Sequence, residues 1–248
     1  MAIFILSRHC GFPSPELSDS DGLLAVGGDL RPERLLTAYR MGVFPWFSYD
    51  QPLLWWSPDP RLILYPNRFH WSRSLKRTIR RRVFDVTMDT AFLSVIQQCA
   101  ESRLEKGRGT WITVEMIDAY CVLHGMGYAH SIEVWKKGRL VGGLYGVSLG
   151  RCFFGESMFS AETDASKVAM AELVQFARNH QFSFIDCQVR TEHLIRLGAI
   201  EIPRDRFLFE LKDGLRFETL KGSWHPVDLR DAIDYLTYTP PKGNEEQT

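Results

Sequence analysis

From residue 129 onward the apolar period of the chain changes in a definite order, and this order limits the fold more than any other feature. AHSIEVW reads as a strand, Lys137-Gly138 as a turn and LVGGLYGVSL as a second strand. Leu149-Gly150 then turns the chain into a third strand, RCFFGESMF. A period of two places successive side chains on opposite faces of a sheet. Behind a Thr163/Asp164 cap, ASKVAMAELVQFARNH reads as a helix, followed by a short strand, FSFIDCQV. TEHLIRLGA predicts another helix and DRFLFEL a last strand. Three antiparallel strands, then helix, strand, helix and strand, imply an α+β fold with a mixed sheet.

That order is the one found in acyltransferases of the N-acetyltransferase type, although fold alone does not determine a reaction. The first sixty or so residues differ from this pattern, being rich in Pro, Gly and Trp and irregular. One short helix is signalled there, RPERLLTAYRMG, with Pro32 in its first turn, Leu35, Leu36 and Tyr39 as an apolar stripe and Gly42 to close it. The segment VFPWFSYDQPLLWWSPDPR sets Trp46, Trp55 and Trp56 between prolines. It reads as a small satellite core that can also present an aromatic wall to a ligand. The expected division is a small N-terminal domain over 1–62 and a larger domain over 63–248.

The 248 residues hold 30 Lys plus Arg against 30 Asp plus Glu, which excludes a generally basic protein. Six basic side chains and no acid nevertheless fall within 73–82. Residues 71–83 read as an amphipathic helix, with Trp71, Leu75, Ile79 and Val83 on one side and Arg73, Lys76, Arg77 and Arg80 on the other. Such a face can recognise phosphate, lie on an anionic membrane or simply be solvated. Five scattered cysteines without a close pair, no secretory signal and no apolar run near ~20 residues point to a reducing cytoplasm and no membrane span.

Two polar interruptions mark the candidate site. Alternation on FSFIDCQV puts Phe182, Phe184, Asp186 and Gln188 on one face, with Ile185, Cys187 and Val189 on the other. Glu156 interrupts FFGESMF in the same manner. A buried carboxylate needs a partner, so each residue is either a paired core group or part of a polar site in an apolar pocket. The seven histidines form no HExxH or close pair, so no metal is expected. Cys187 and His193 imitate a thiol–histidine couple, but a cysteine on such a strand is usually core. FSAETDASK lacks the glycines that would let backbone amides reach a coenzyme pyrophosphate.

The runs GLLAVGGDL, ERLLTAYRMGVFPWFS, WWSPDPR, GTWIT, YAHSIEVW, LVGGLYGV, FFGESMFS, ASK, IDCQV and LGAIEIPR together resemble the leucyl/phenylalanyl-tRNA–protein transferase family. The likeness extends from about Gly22 to Arg204. It implies a cytoplasmic bacterial enzyme of the N-degron pathway that moves Leu or Phe, and also Met, from aminoacyl-tRNA to an N-terminal Arg or Lys. It also implies a small N-terminal domain packed on an N-acetyltransferase-like (GNAT-type) domain, with no metal and no coenzyme. By the same resemblance, Asp186 and Gln188 match catalytic positions and Glu156 is the site carboxylate. Leu144, Gly155, Met158, Met170, Leu173, Ala177 and Ile185 correspond to the aminoacyl pocket. Tyr39, Trp46 and Trp111 match residues near the terminal adenosine or the peptide, and Thr191 stands where some members carry Asn. On this reading Gln188 orients the attacking amine through its carbonyl oxygen and Asp186 polarises the amide. The helix bearing Arg73, Lys76, Arg77 and Arg80 holds the acceptor stem. The alternatives are a coenzyme A-dependent N-acyltransferase and a non-catalytic RNA-binding protein.

Overall fold

The computed structural model describes residues 3–7, 9, 11–104, 110–226, 229, 230 and 233. Cys10 and the tail PPKGNEEQT, read as frayed, lie outside them. The N-terminal part contains β1 (Phe4–Leu6), β2 (Leu23–Gly27), α1 (Pro32–Arg40), β3 (Phe44–Pro45) and β4 (Leu54–Trp56). Its strands form a sheet in the order β1-β2-β4-β3, parallel only between β1 and β2. This corrects the expectation of an irregular region, because strands so short show no period that a sequence can display. Two indoles tie the sheet together: buried Trp55 donates Nε1 to the Gly27 carbonyl at 2.9 Å, and Trp56 donates to that of Trp46 at 2.6 Å. Helix α1 begins at Pro32 and buries Leu35, Leu36 and Tyr39 as expected. Gly42 follows at φ +73, where a Cβ would run into Phe207 and Leu208.

The remaining elements are β5 (Arg61–Leu64), α2 (Arg73–Arg80), β6 (Asp85–Met88), α3 (Phe92–Leu104), α4 (Val114–Gly125) and β7 (Ala129–Lys136). Then come β8 (Arg139–Leu149), β9 (Cys152–Ser160), α5 (Ala165–Asn179), β10 (Phe184–Gln188), α6 (Glu192–Arg196), β11 (Ile200–Ile202) and α7 (Arg204–Gly214). Seven strands order as β11-β5-β10-β9-β8-β7-β6, and only β9 and β10 run parallel, so the sheet is mixed. The succession β7–β8–β9–α5–β10 follows the predicted order. The boundary expected at 62/63 falls inside β5, which belongs to this large sheet.

Two local expectations are corrected. DRFLFEL is helix α7, not a strand: Phe207 and Leu211, four residues apart, are buried, while Phe209 between them is 75% exposed. Asp164 stands at the start of α5 with φ 70 and makes no cap bond. Its carboxylate instead takes Lys167 Nζ at 2.7 Å and Thr78 Oγ1 at 3.2 Å.

The sheet is covered on both faces. Tyr145, Val147, Phe154 and Phe184 pack with Tyr39, Phe44 and Trp55 and with the apolar sides of α3 and α4. Leu144, Phe153 and Ile185, next to them along the strands, pack with Met170, Leu173 and Val174 of α5 and with Leu75 and Ile79 of α2. The pairing of β10 with β9 ends at Asp186–Phe154, and β10 shifts register between Asp186 and Gln188 against β5. The polar residues gather where the two strands part.

Candidate active site

Glu156 is the extra, unpaired residue of a bulge on β9, between Gly155, which pairs with Gly146 of β8, and Ser157, which pairs with Tyr145. Its Oε1 accepts from the Tyr39 hydroxyl and from Gln188 Nε2, each at 2.8 Å, and its Oε2 accepts from the Tyr120 hydroxyl at 3.0 Å. The Tyr39 and Tyr120 hydroxyls also bond each other. Burial pushes the Glu156 carboxyl up to about 7, while the hydrogen bonds from both tyrosines and Gln188 oppose the rise. Burial, and then the charge on Glu156, hold both phenols well above their ordinary range. The site is therefore a carboxylate that changes charge near neutrality, enclosed by two hydroxyls and an amide.

Asp186 has different partners from those expected. Fully buried, it receives Arg61 through two bonds, Nε to Oδ1 at 2.9 Å and Nη2 to Oδ2 at 2.6 Å. The Arg61 guanidinium lies between two rings, 4.7 Å from the centre of Phe44 and 4.6 Å from that of Phe207. Asp186 Oδ1 also accepts the backbone N–H of Gln188 at 2.9 Å. Gln188 adopts φ 63, a left-handed conformation costly for a residue with a Cβ, and Cys187 is the extra residue of the bulge. Asp186 thus holds the backbone of Gln188, and the side-chain amide donates to Glu156 where the sequence reading put Asp186. The Gln188 Oε1 has no hydrogen-bond partner among the described residues.

Beside this polar cluster lies an apolar cavity lined by Leu144, Gly155, Met158, Met170, Leu173 and Ile185, with Tyr145, Phe153, Ser157, Cys187 and Leu194 completing it. Ala177, expected in the pocket, is buried in the core on α5 but is not among the lining residues. Cys187 points its Sγ at the Ile185 carbonyl, 3.7 Å away, and burial pushes the thiol upward, so it is poorly suited to act as a nucleophile.

Trp46 and Trp111 share a second cavity of about 310 Å³ with Trp56 and Arg103. Tyr39, expected beside them, is instead turned to Glu156. Thr191 caps α6, its Oγ1 accepting the Leu194 N–H at 3.3 Å. On α2, Leu75 and Ile79 are buried, Arg73, Arg77 and Arg80 are exposed and Lys76 is half-buried. Val83 lies beyond the end of that helix and is 37% exposed, so the predicted apolar stripe stops at Ile79. Arg61, Tyr120, Arg103 and Ser157 were not anticipated. Only Arg61 carried a signal, as a cation at the head of the apolar run RLIL. Among the described residues no group of three His, Cys, Asp or Glu could hold a metal ion, and no helix is long and apolar enough to cross a membrane.

The profile of the family described as "Leucyl/phenylalanyl-tRNA protein transferase" matches residues 63–212, and that of its N-terminal domain matches 28–59. A leucyl/phenylalanyl-tRNA–protein transferase of Desulfatibacillum aliphaticivorans is 58% identical over 224 residues, which is 90% of this chain and 96% of that one. One from Desulforapulum autotrophicum is 54% identical, covering 90% and 98%. Among solved structures, a ribosomal-protein-alanine N-acetyltransferase of Brucella melitensis is 13% identical, with a TM-score of 0.33 over 44% of this chain and 82% of its own.

Proposed function

The chain belongs to the leucyl/phenylalanyl-tRNA–protein transferase family, an aminoacyltransferase that moves leucine or phenylalanine from aminoacyl-tRNA onto proteins, and from this we propose how its site performs the transfer and on which acceptors. The observation that carries the proposal is the fixed Gln188 amide, held through Nε2 by buried Glu156 beside the apolar cavity. An aminoacyl ester is already activated, so its aminolysis needs alignment and charge stabilisation and no covalent enzyme intermediate. The cavity takes the aminoacyl side chain, Trp46 and Trp111 take the terminal adenosine, and the Gln188 Oε1 accepts a hydrogen bond from the attacking amine. The amine nitrogen bonds to the ester carbon, the bond from that carbon to the ribose oxygen breaks, and the amine's proton passes by way of Glu156 to the ribose. A carboxyl balanced near neutrality suits a group that takes and returns one proton.

Apolar walls with two methionines favour Leu, Phe and Met as donors. The acceptors are proteins with N-terminal Arg or Lys, marked in the cytoplasm for the N-degron pathway, and the acceptor stem lies along α2. The backbone amides of Ala165 and Ser166, at the start of α5, are taken by the Glu162 carbonyl at 3.1 Å and by Ser160 Oγ at 3.3 Å. That supports the tRNA reading over a coenzyme A reading. Labelled Leu-tRNA with an Arg-starting peptide should yield labelled peptide, and a Gly-starting peptide should not. Binding without transfer, or transfer from acetyl-coenzyme A without tRNA, would sink the proposal.

A further inference from the structure

Arg103 lies at the junction of the two cavities. It is the one charged residue among the described residues lining the tryptophan cavity. Its guanidinium stands 5.6 Å from the centre of the Trp111 ring, and its Nη2 donates to Ser157 Oγ at 3.4 Å. Ser157 in turn lines the apolar cavity. Among the described residues no carboxylate pairs with Arg103, and the hydrogen bond that its guanidinium makes with them is the long one to the Ser157 hydroxyl. The planar fork of the guanidinium matches the oxygens of a phosphate.

A donor with its acyl chain in one cavity and its base on the tryptophans must pass its ribose between them, beside Arg103. We propose that Arg103 binds the phosphodiester on the 5′ side of the donor's terminal nucleoside. The site thereby reads a nucleotide that continues into an RNA chain and not a free aminoacyl nucleoside. This inference rests on the aminoacyl-tRNA reading above.

Two donors that differ by that one phosphate separate the possibilities: phenylalanyl-adenosine and the phenylalanyl ester of the dinucleotide CpA. The wild-type protein should have the lower KM for the dinucleotide. Arg103→Ala should raise the KM for the dinucleotide about ten- to a hundredfold more than it raises the KM for phenylalanyl-adenosine. Arg103→Lys, keeping the charge without the fork, should fall between. Each variant's constants on the nucleoside donor control for its folding. Equal losses on both donors, or no loss on either, would overturn the assignment. A wild-type protein that transfers from Leu-tRNA but uses neither short donor would also overturn the assignment, whereas one that fails with Leu-tRNA itself would remove the proposed function on which this inference rests.

Discussion

Glu156 is costly to ionise where it stands, and the cost sets two opposite dependences on pH. Its carboxyl is neutral below about 7 and charged above. If it is the base, the ratio of wild-type to Glu156→Gln transfer rates should climb as pH rises through about 7. Dividing by the variant's rate removes the titration of the acceptor amine itself. Stability runs the other way. A carboxyl raised from 4.5 to about 7 contributes fully below its unfolded value and loses that contribution as pH rises through the folded one, roughly 3 kcal/mol in all. Between about pH 5 and pH 8 the wild-type Tm should therefore fall relative to that of Glu156→Gln; parallel melting curves would refute the shift. Arg61 and Asp186 illustrate a different cost. Removing one member of a buried ion pair strands the other, so Arg61→Met should lose ~3–5 kcal/mol in denaturant titration. Asp186, Gln188 and Glu156 could be found from sequence because each breaks an apolar strand. Their partners could not, since Arg61 lies 125 residues from Asp186 and only the folded sheet joins them.

Among the elements, legibility followed length. Strands β7, β8 and β9 and helix α5 run for 8, 11, 9 and 15 residues, long enough for a period to repeat. Strand β3 has 2 residues and β4 has 3, and no period exists at that length. In α7 the alternation of Phe207, Phe209 and Leu211 imitates a strand, and tertiary burial of the i, i+4 pair decides for a helix. The basic helix α2 was clear from its own spacing, and its prediction concerns salt. Changing Arg73, Lys76, Arg77 and Arg80 together to Gln should flatten the log–log dependence of tRNA affinity on salt by about 3 to 4. Turnover at saturating tRNA should remain near wild type, and an unaltered slope would exclude α2 as the contact. Thr191 acts on its helix too: Thr191→Ala removes the α6 cap and should cost ~1 kcal/mol.

At the scale of the molecule, two sheets share a core. Leu24, Tyr39, Phe44 and Trp55 from the N-terminal part pack in one cluster with Ile63, Tyr120, Phe154 and Phe207 from the rest. Urea unfolding should accordingly give one transition by tryptophan fluorescence and by circular dichroism, and a plateau between two transitions would contradict a shared core. Sequence alone marks the change of pattern near residue 60 but not this joint packing, which depends on tertiary contact across that change. Glu156 draws its hydrogen bonds from residues 117, 36 and 32 positions away, on α1, on α4 and at the end of β10. No contiguous stretch shorter than residues 39–188 therefore contains the whole cluster around Glu156. A chain still emerging from the ribosome, before residue 188 has left it, cannot enclose Glu156 in this way. Under the proposed mechanism the unfinished chain has no means of transfer, so the enzyme does not use charged tRNA as a donor until most of the chain is made.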